Sequence, residues 1–205
     1  ILSLVGGNIE IVGPAGPTTA TIGTTGGRID IASVAASGEV VFRTSAGAPD
    51  LNVASFSQLG RINISGSARV DSSGVNAAGG AAAGTVVIRG GQLFVSGASS
   101  IRSNNFSNTN AAPIAVDIQA PNIAFNAASV QVATTRAGNA GQVNLQSAGG
   151  AITMTGGAFI DSNTAGAGAG ADVSLSGASV SLTGVNTRIS SATSTTGKGG
   201  ALTVT

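Results

Sequence analysis

The most constraining feature of this chain is a short alternating apolar triplet that recurs after Gly- or Ala-rich turns. Alternation of apolar and polar residues has a period of two, which is typical of β-strands and not of helices. The triplets begin at eight positions: Ile9, Ile29, Ile62, Val86, Val116, Val143, Val173 and Leu202. From Ile62 to Leu202 the start advances by 140 residues in five steps, a mean of 28. This regular period indicates internal repeats.

Two further apolar positions follow each of the later triplets at nearly constant offsets. The second begins at Leu93, Ile123, Ile152 and Val180, which lie 7, 7, 9 and 7 residues after the first. The third falls at Ile101, Val130, Ile160 and Ile189. Three short strands in each repeat of about 28 residues predict an all-β fold, a parallel β-helix (β-solenoid) of about eight coils. Like residues of successive coils should then stack in columns, for example Val95, Phe125, Met154 and Leu182.

The composition agrees with a solenoid and argues against helices. Charged residues are 8% of the chain, and strong helix formers are scarce: Glu occurs twice, Lys once and Met once. Gly contributes 32 of 205 residues, which suits tight corners between strands. The mean hydropathy is +0.37 and the net charge is +1, whereas disordered chains combine low hydrophobicity with high net charge. The alternating apolar residues are therefore expected to face a core.

The repeat is less regular near the beginning of the sequence. Between residues 32 and 60 the apolar positions show no clear three-strand phase, which indicates an excursion or a distorted coil. We expect one continuous solenoid over residues 1–205, less regular at 1–60 and regular at 61–205. Both ends are strand-like and carry no visible cap. We therefore expect them to continue into further sequence or to stack head to tail on another copy of the chain.

The residue content removes several kinds of site. Without Cys the chain has no thiolate ligand or disulfide, and without His it lacks imidazole ligands and the usual base of a hydrolase. We predict no metal site and no cofactor. No apolar run reaches the ~18 residues of a transmembrane segment. The nine basic residues are scattered among eight acidic ones, and Tyr and Trp are absent, so no nucleic-acid surface is expected.

The carboxylates give little support for catalysis. Enzymes on β-helix scaffolds often cleave acidic polysaccharides with clustered charged side chains. Here Glu10 and Asp30 occupy neighbouring positions in the predicted columns, but no second pair joins them. Asp71 and Arg102 are expected to form an exposed ion pair across two strands. We predict that the chain is not an enzyme, with polysaccharide cleavage as the less favoured alternative.

One loop offers a candidate contact surface. The segment from residue 104 to residue 110 is rich in Asn and has a Phe at its centre. Loops on a rigid scaffold often carry function, although a solvated spacer loop is the plainer interpretation. The candidate contact residues are Asn104, Asn105, Phe106 and Asn108.

Several segments resemble one family of bacterial proteins. LVGGNIEI (4–11), GGRIDIASV (26–34), GRINISGSARVDSSG (60–74) and GTVVIRGGQLFVSGASSIRSN (84–104) are similar to the region after the secretion domain of filamentous haemagglutinin-like exoproteins. Later segments are similar to the downstream repeats of those proteins, which are exported by the two-partner secretion pathway. The resemblance implies a right-handed parallel β-helix, an outer-membrane secretion partner, and an extracellular or bacterial cell-surface location.

Together, these features predict a structural protein. The chain is expected to be a rod or filament segment that serves adhesion, cell–cell contact or extracellular matrix. The alternative is an adhesin that recognises a cell-surface receptor or a glycan through its variable loops.

Overall fold

The computed structural model describes residues 1–14, 19–43, 50–77 and 79–205. Every regular element in these ranges is a β-strand. These ranges contain no helix that is long and apolar enough to cross a membrane. The strands are β1 (Leu2–Gly6), β2 (Ile9–Val12), β3 (Thr21–Gly23), β4 (Arg28–Ser33), β5 (Val41–Arg43), β6 (Asp50–Asn52), β7 (Arg61–Ser65), β8 (Arg69–Asp71), β9 (Thr85–Arg89), β10 (Gln92–Ser96), β11 (Ser100–Arg102), β12 (Ile114–Gln119), β13 (Asn122–Asn126), β14 (Ser129–Gln131), β15 (Gln142–Thr155), β16 (Phe159–Asp161), β17 (Val173–Thr183), β18 (Arg188–Ser190) and β19 (Leu202–Val204).

Parallel pairing arranges these strands in three faces around one axis. The first face contains β1, β4, β9, β12, the beginning of β15, the beginning of β17, and β19. The second face contains β2, β7, β10, β13 and the ends of β15 and β17, so these two long strands join both faces into an 11-stranded sheet. The third face is a separate sheet of six strands, β3, β8, β11, β14, β16 and β18. The fold is therefore a parallel β-solenoid, as predicted.

The solenoid has about six turns, fewer than the eight predicted. The third face contains six strands, and β19 begins a seventh turn on the first face. The predicted repeat takes Ile9 and Ile62 as the starts of first-face strands. In the structure they pair with each other in the second face, and Ile62 also pairs there with Leu93. The excursion between β4 and β7 separates two strands of one turn and explains the error at Ile62. The error at Ile9 has another cause, because β1, the first-face strand of the first turn, was not part of the predicted repeat. Parallel strands lie ~4.8 Å apart, so the seven first-face strands span about 29 Å along the axis.

The interior consists of apolar columns, which confirms the pattern of alternation. Inward residues of each face pair in register from turn to turn and form one hydrophobic cluster. The predicted columns are present: Val86, Val116, Val143, Val173 and Leu202 on the first face, Val95, Phe125, Met154 and Leu182 on the second, and Ile101, Val130, Ile160 and Ile189 on the third. Within the stack each inward apolar side chain thus packs against similar side chains above and below it, whereas Leu182 and Leu202 at the end of their columns are exposed.

The excursion after β4 covers the outer side of the first face. It contains the antiparallel hairpin β5–β6, and an antiparallel bridge between Val34 and Leu59 closes its base. Leu51 in this hairpin is 2% exposed and packs against Ala32 and Val87, which point outward from β4 and β9. The irregular phase in the sequence therefore marks a second, smaller apolar cluster outside the solenoid.

An ion pair is also buried on the outer side of the first face. Arg89 on β9 donates through Nη2 to Oδ2 of Asp117 on β12, and the two side chains are 6% and 9% exposed. Nη1 of Arg89 donates to the carbonyl oxygens of Ile88 and Asp117, both at 3.0 Å. Because the guanidinium has several partners, its burial is compensated and it links the third turn to the fourth.

Corner glycines allow neighbouring turns to approach closely. Gly149 has a φ of +74°, a left-handed conformation that favours glycine. At Gly150 the constraint is space, because an added Cβ would lie 1.7 Å from the carbonyl oxygen of Pro121 in the preceding turn. Gly7 differs, since no atom lies within 4 Å of the position that its Cβ would take. Position 150 therefore requires glycine, and position 7 does not.

Candidate functional site

The Asn-rich loop is held by two buried asparagines. Asn104 and Asn105 are both buried, whereas Phe106 is half-buried and Asn108 is exposed. Oδ1 of Asn104 accepts a hydrogen bond of 2.8 Å from the backbone N–H of Ala133 in the next turn. These positions make Asn104 and Asn105 part of the scaffold, and they leave Phe106 and Asn108 as the accessible members of the predicted contact surface.

Asn105 belongs to a series of residues that close successive loops. Its amide Nδ2 donates to the carbonyl oxygen of Thr109 at 2.9 Å, four residues further on. Thr134 and Thr164 repeat this arrangement, because their hydroxyls donate to carbonyl oxygens four residues later at 2.7 and 2.8 Å. Asn105, Thr134, Thr164 and Thr193 bridge one another in parallel. Their spacing of 29, 30 and 29 residues is a sequence signal that was missed.

Other loop asparagines connect one turn to the next. Oδ1 of Asn110 accepts a hydrogen bond of 3.0 Å from the backbone N–H of Asn139. Oδ1 of Asn139 in turn accepts one of 2.9 Å from the N–H of Ala169. Asn163 and Asp172 bond in the same way to residues 29 positions later, at 3.0 and 2.7 Å. The closing loops are therefore tied together along the axis by side-chain oxygens as well as by backbone pairing.

A polar groove lies beside the loop on the outer side of the third face. We call it the third-face groove, and it has a volume of about 450 Å³. Its floor comes from β3, β8 and β11, and Asn104 and Phe106 contribute to its wall. Its lining residues are Thr21, Gly23, Thr24, Thr25, Arg69, Asp71, Ser73, Gly74, Arg102, Asn104 and Phe106.

The charges of this groove are largely uncompensated. Asp71 and Arg102 are register partners on β8 and β11, but no ion pair within 4.0 Å joins them, so the predicted ion pair is not formed. Oδ1 of Asp71 accepts instead from the backbone N–H of Ser73 at 2.9 Å. Burial lowers the pKa of Arg102, the charge of Arg69 lowers it further, and Asp71 acts in the opposite direction. The groove thus holds two guanidinium groups and one carboxylate.

A second groove lies on the outer side of the second face. It has a volume of about 410 Å³ and is more apolar, and its lining includes Phe94, Asn63, Gln92 and Asn122. Phe94 is 40% exposed. Exposed single aromatic residues are common on protein surfaces. Among the described residues that line it, Arg61 is the charged one, so this groove has fewer charged groups than the third-face groove.

The carboxylates considered for catalysis are separated. Glu10 pairs in register with Asn63 and forms an exposed ion pair of 3.2 Å with Arg61. Asp30 lies on the first face, is 1% exposed, and contacts Arg28 at 2.7 Å. The prediction that Glu10 and Asp30 are neighbours is wrong, because they belong to different faces. Among the described residues, no group of three or more acidic side chains is placed to hold a metal ion.

Comparisons with known proteins do not assign a family. No protein-family model, curated protein sequence or solved structure matches this chain.

Proposed function

We propose that the chain is a structural segment of a secreted or cell-surface protein, a rod that serves adhesion, cell–cell contact or extracellular matrix. The observation that supports this role most directly is the continuous stacking of about six turns on one axis. Apolar columns fill the interior, and hydrogen bonds between successive loops tie the turns together. A fold of this kind holds its two ends at a fixed distance.

The rod assembles through the edges of its end strands. Strand β19 pairs with β17 on one side only, and Leu202 and Val204 on it are each 51% exposed. An apolar strand with a free edge is a template for another strand. The partner is a further turn or a second copy of the chain stacked head to tail. The resemblance to filamentous haemagglutinin-like exoproteins supports export through an outer-membrane partner.

The role that we propose requires no catalysis. An adhesin that recognises a receptor or glycan through its loops is the second candidate. The half-buried Phe106 in the wall of the third-face groove and the exposed Asn108 in the same loop favour it. Polysaccharide cleavage has less support, because the candidate carboxylates Glu10 and Asp30 lie on different faces.

Display of the chain on a non-adherent bacterium tests the two candidates. A structural rod predicts clumping of the displaying cells that persists when residues 104–110 are replaced by a Gly/Ser linker. The same clumping should be lost when Leu202 and Val204 are both changed to Lys, because a charged edge resists strand pairing. Loss of clumping in the loop variant alone would favour the adhesin. Absence of clumping by the unmodified chain would contradict the structural proposal.

A further inference from the structure

The third-face groove contains positive charge that the chain itself does not neutralise. Within the described residues, Arg69 makes no side-chain hydrogen bond or ion pair, and its buried Nε has no partner. Arg102 makes one side-chain hydrogen bond, from Nε to Oγ of Ser100 at 3.1 Å. A guanidinium group with unused donors, partly removed from water, is costly unless an anion compensates it. We propose that this groove binds a carboxylated polysaccharide, a polymer of uronic acids.

Another arginine on the third face has its positive charge compensated by side chains of the same protein. Arg188 on β18 donates to Oδ2 of Asp161 at 3.0 Å, and its guanidinium lies 4.7 Å from the centre of the Phe159 ring. That cation has a carboxylate and an aromatic face supplied by the chain. Arg69 and Arg102 lack the carboxylate contact, although Phe106 lies in the same groove. A ligand that carries carboxylates would give Arg69 and Arg102 the kind of partner that Asp161 gives Arg188.

The spacing of the two arginines suits a polymer. Arg69 lies on β8 and Arg102 on β11, the strand of the next turn. Arg69 pairs in register with Ser100, and Arg102 pairs with Asp71, so the two arginines lie diagonally. One strand spacing of ~4.8 Å and two residues of ~3.3 Å rise each separate their backbones by roughly 8 Å. Their long side chains can therefore meet carboxylates that recur along a polymer. The flat carboxylate also matches the planar donors of arginine, which bind it in bidentate geometry.

The other lining groups define the kind of anion. Asp71, on β8 and opposite Arg102, adds a negative charge to the groove, which disfavours ligands with a high charge density. Phe106 offers an apolar surface for the face of a pyranose ring. The volume of about 450 Å³ falls within the range of roughly 300–1,000 Å³ that is usual for ligand sites. These features favour a uronate polymer over a heavily sulfated glycan or a free phosphate ion.

Binding of a uronate polymer in the third-face groove is a separate property from the proposed rod and does not depend on it. Head-to-tail stacking uses the free backbone edges of the end strands, whereas the groove lies on the outward side-chain surface of β3, β8 and β11. Failure of stacking would leave the groove unchanged, and failure of uronate binding would leave the rod proposal unchanged. The two proposals can therefore be tested separately.

Calorimetric titration with a hexamer of galacturonic acid tests the groove. The unmodified chain should bind the hexamer, and its methyl ester, which lacks the negative charges, should not bind. The double variant R69Q/R102Q should lose affinity at least about tenfold, because two charge-assisted contacts are removed. Phe106→Ala should lower the affinity about threefold to tenfold. The control Arg61→Gln removes an exposed arginine on the second face and should stay within about twofold.

Several results would overturn the proposal. One is absence of binding to the hexamer by a chain whose urea unfolding is cooperative. Another is an equal loss of affinity in R61Q and R69Q/R102Q, which would indicate general charge attraction. Binding of dextran sulfate or inorganic phosphate as tightly as the hexamer would show an anion site without preference for uronates. A variant that unfolds at a lower urea concentration is replaced by R69K/R102K, which retains charge but loses bidentate geometry and should bind more weakly.

Discussion

Replacement of Phe125 by alanine tests the inside-to-outside alternation of the solenoid. Phe125 is 1% exposed and lies in register between Val95 and Met154 in the second-face column. Loss of a buried Phe removes its transfer free energy and leaves a cavity that close-packed neighbours fill only in part. The expected loss of unfolding free energy is about 3–5 kcal/mol.

Phe94 provides a matched control on the adjacent strand. It occupies β10 next to Val95, but it points outward and is 40% exposed. Complete burial of a Phe side chain contributes roughly 1.5–3 kcal/mol, so truncation of this partly exposed residue should cost about 1 kcal/mol. The predicted difference between the two variants is therefore at least about 2 kcal/mol.

Urea unfolding followed by far-ultraviolet circular dichroism measures this difference. The chain has no Trp or Tyr, so backbone ellipticity is the practical signal. If Phe125→Ala fails to fold, Phe125→Leu retains most of the volume and should still be less stable than Phe94→Leu. Equal losses at positions 94 and 125, or a larger loss at 94, would refute the assignment of inward and outward sides.

Three further changes test separate parts of the structure. Gly150→Ala should destabilise the chain by about 1–3 kcal/mol because its Cβ would overlap the preceding turn, while Gly7→Ala should be neutral or slightly stabilising in the same urea assay. Arg89→Met should cost about 3–5 kcal/mol, because it leaves the Asp117 carboxylate buried without its partner, and a loss below 1 kcal/mol would contradict that view. Thr164→Val should increase amide hydrogen exchange in residues 164–170, where its hydroxyl holds the loop, and unchanged exchange would argue against this role.

The sequence predicts the regular part of the fold well because its signal is local and repeated. An inward residue must be apolar in every turn, so the columns at Val130, Ile160 and Ile189 are visible as a spacing. The predicted faces of the strands in the first turns are wrong for a physical reason. An insertion between two strands of one turn adds residues without adding a turn, so distance along the chain no longer measures distance along the axis.

The candidate site was only partly predictable. Composition marks Asn104 and Asn105 as loop residues, but it does not distinguish an amide that faces solvent from one that bonds the next turn. The third-face groove depends on stacking, since pairing of β8 with β11 at an offset of 31 residues brings Arg69 and Arg102 to diagonal positions. The repeat spacing correctly predicts that Asp71 and Arg102 are neighbours on adjacent strands. Spacing alone does not reveal that their side chains form no ion pair.

We propose that the end strands of this solenoid pair with further strands and build a longer rod. Electron microscopy of the isolated chain at micromolar concentration tests it most directly, with L202K/V204K as the matched variant. The proposed structure predicts rods that lengthen by about 34 Å per stacked copy, seven strand spacings of ~4.8 Å, for the unmodified chain and single particles for the variant. Single particles for both proteins would contradict the claim.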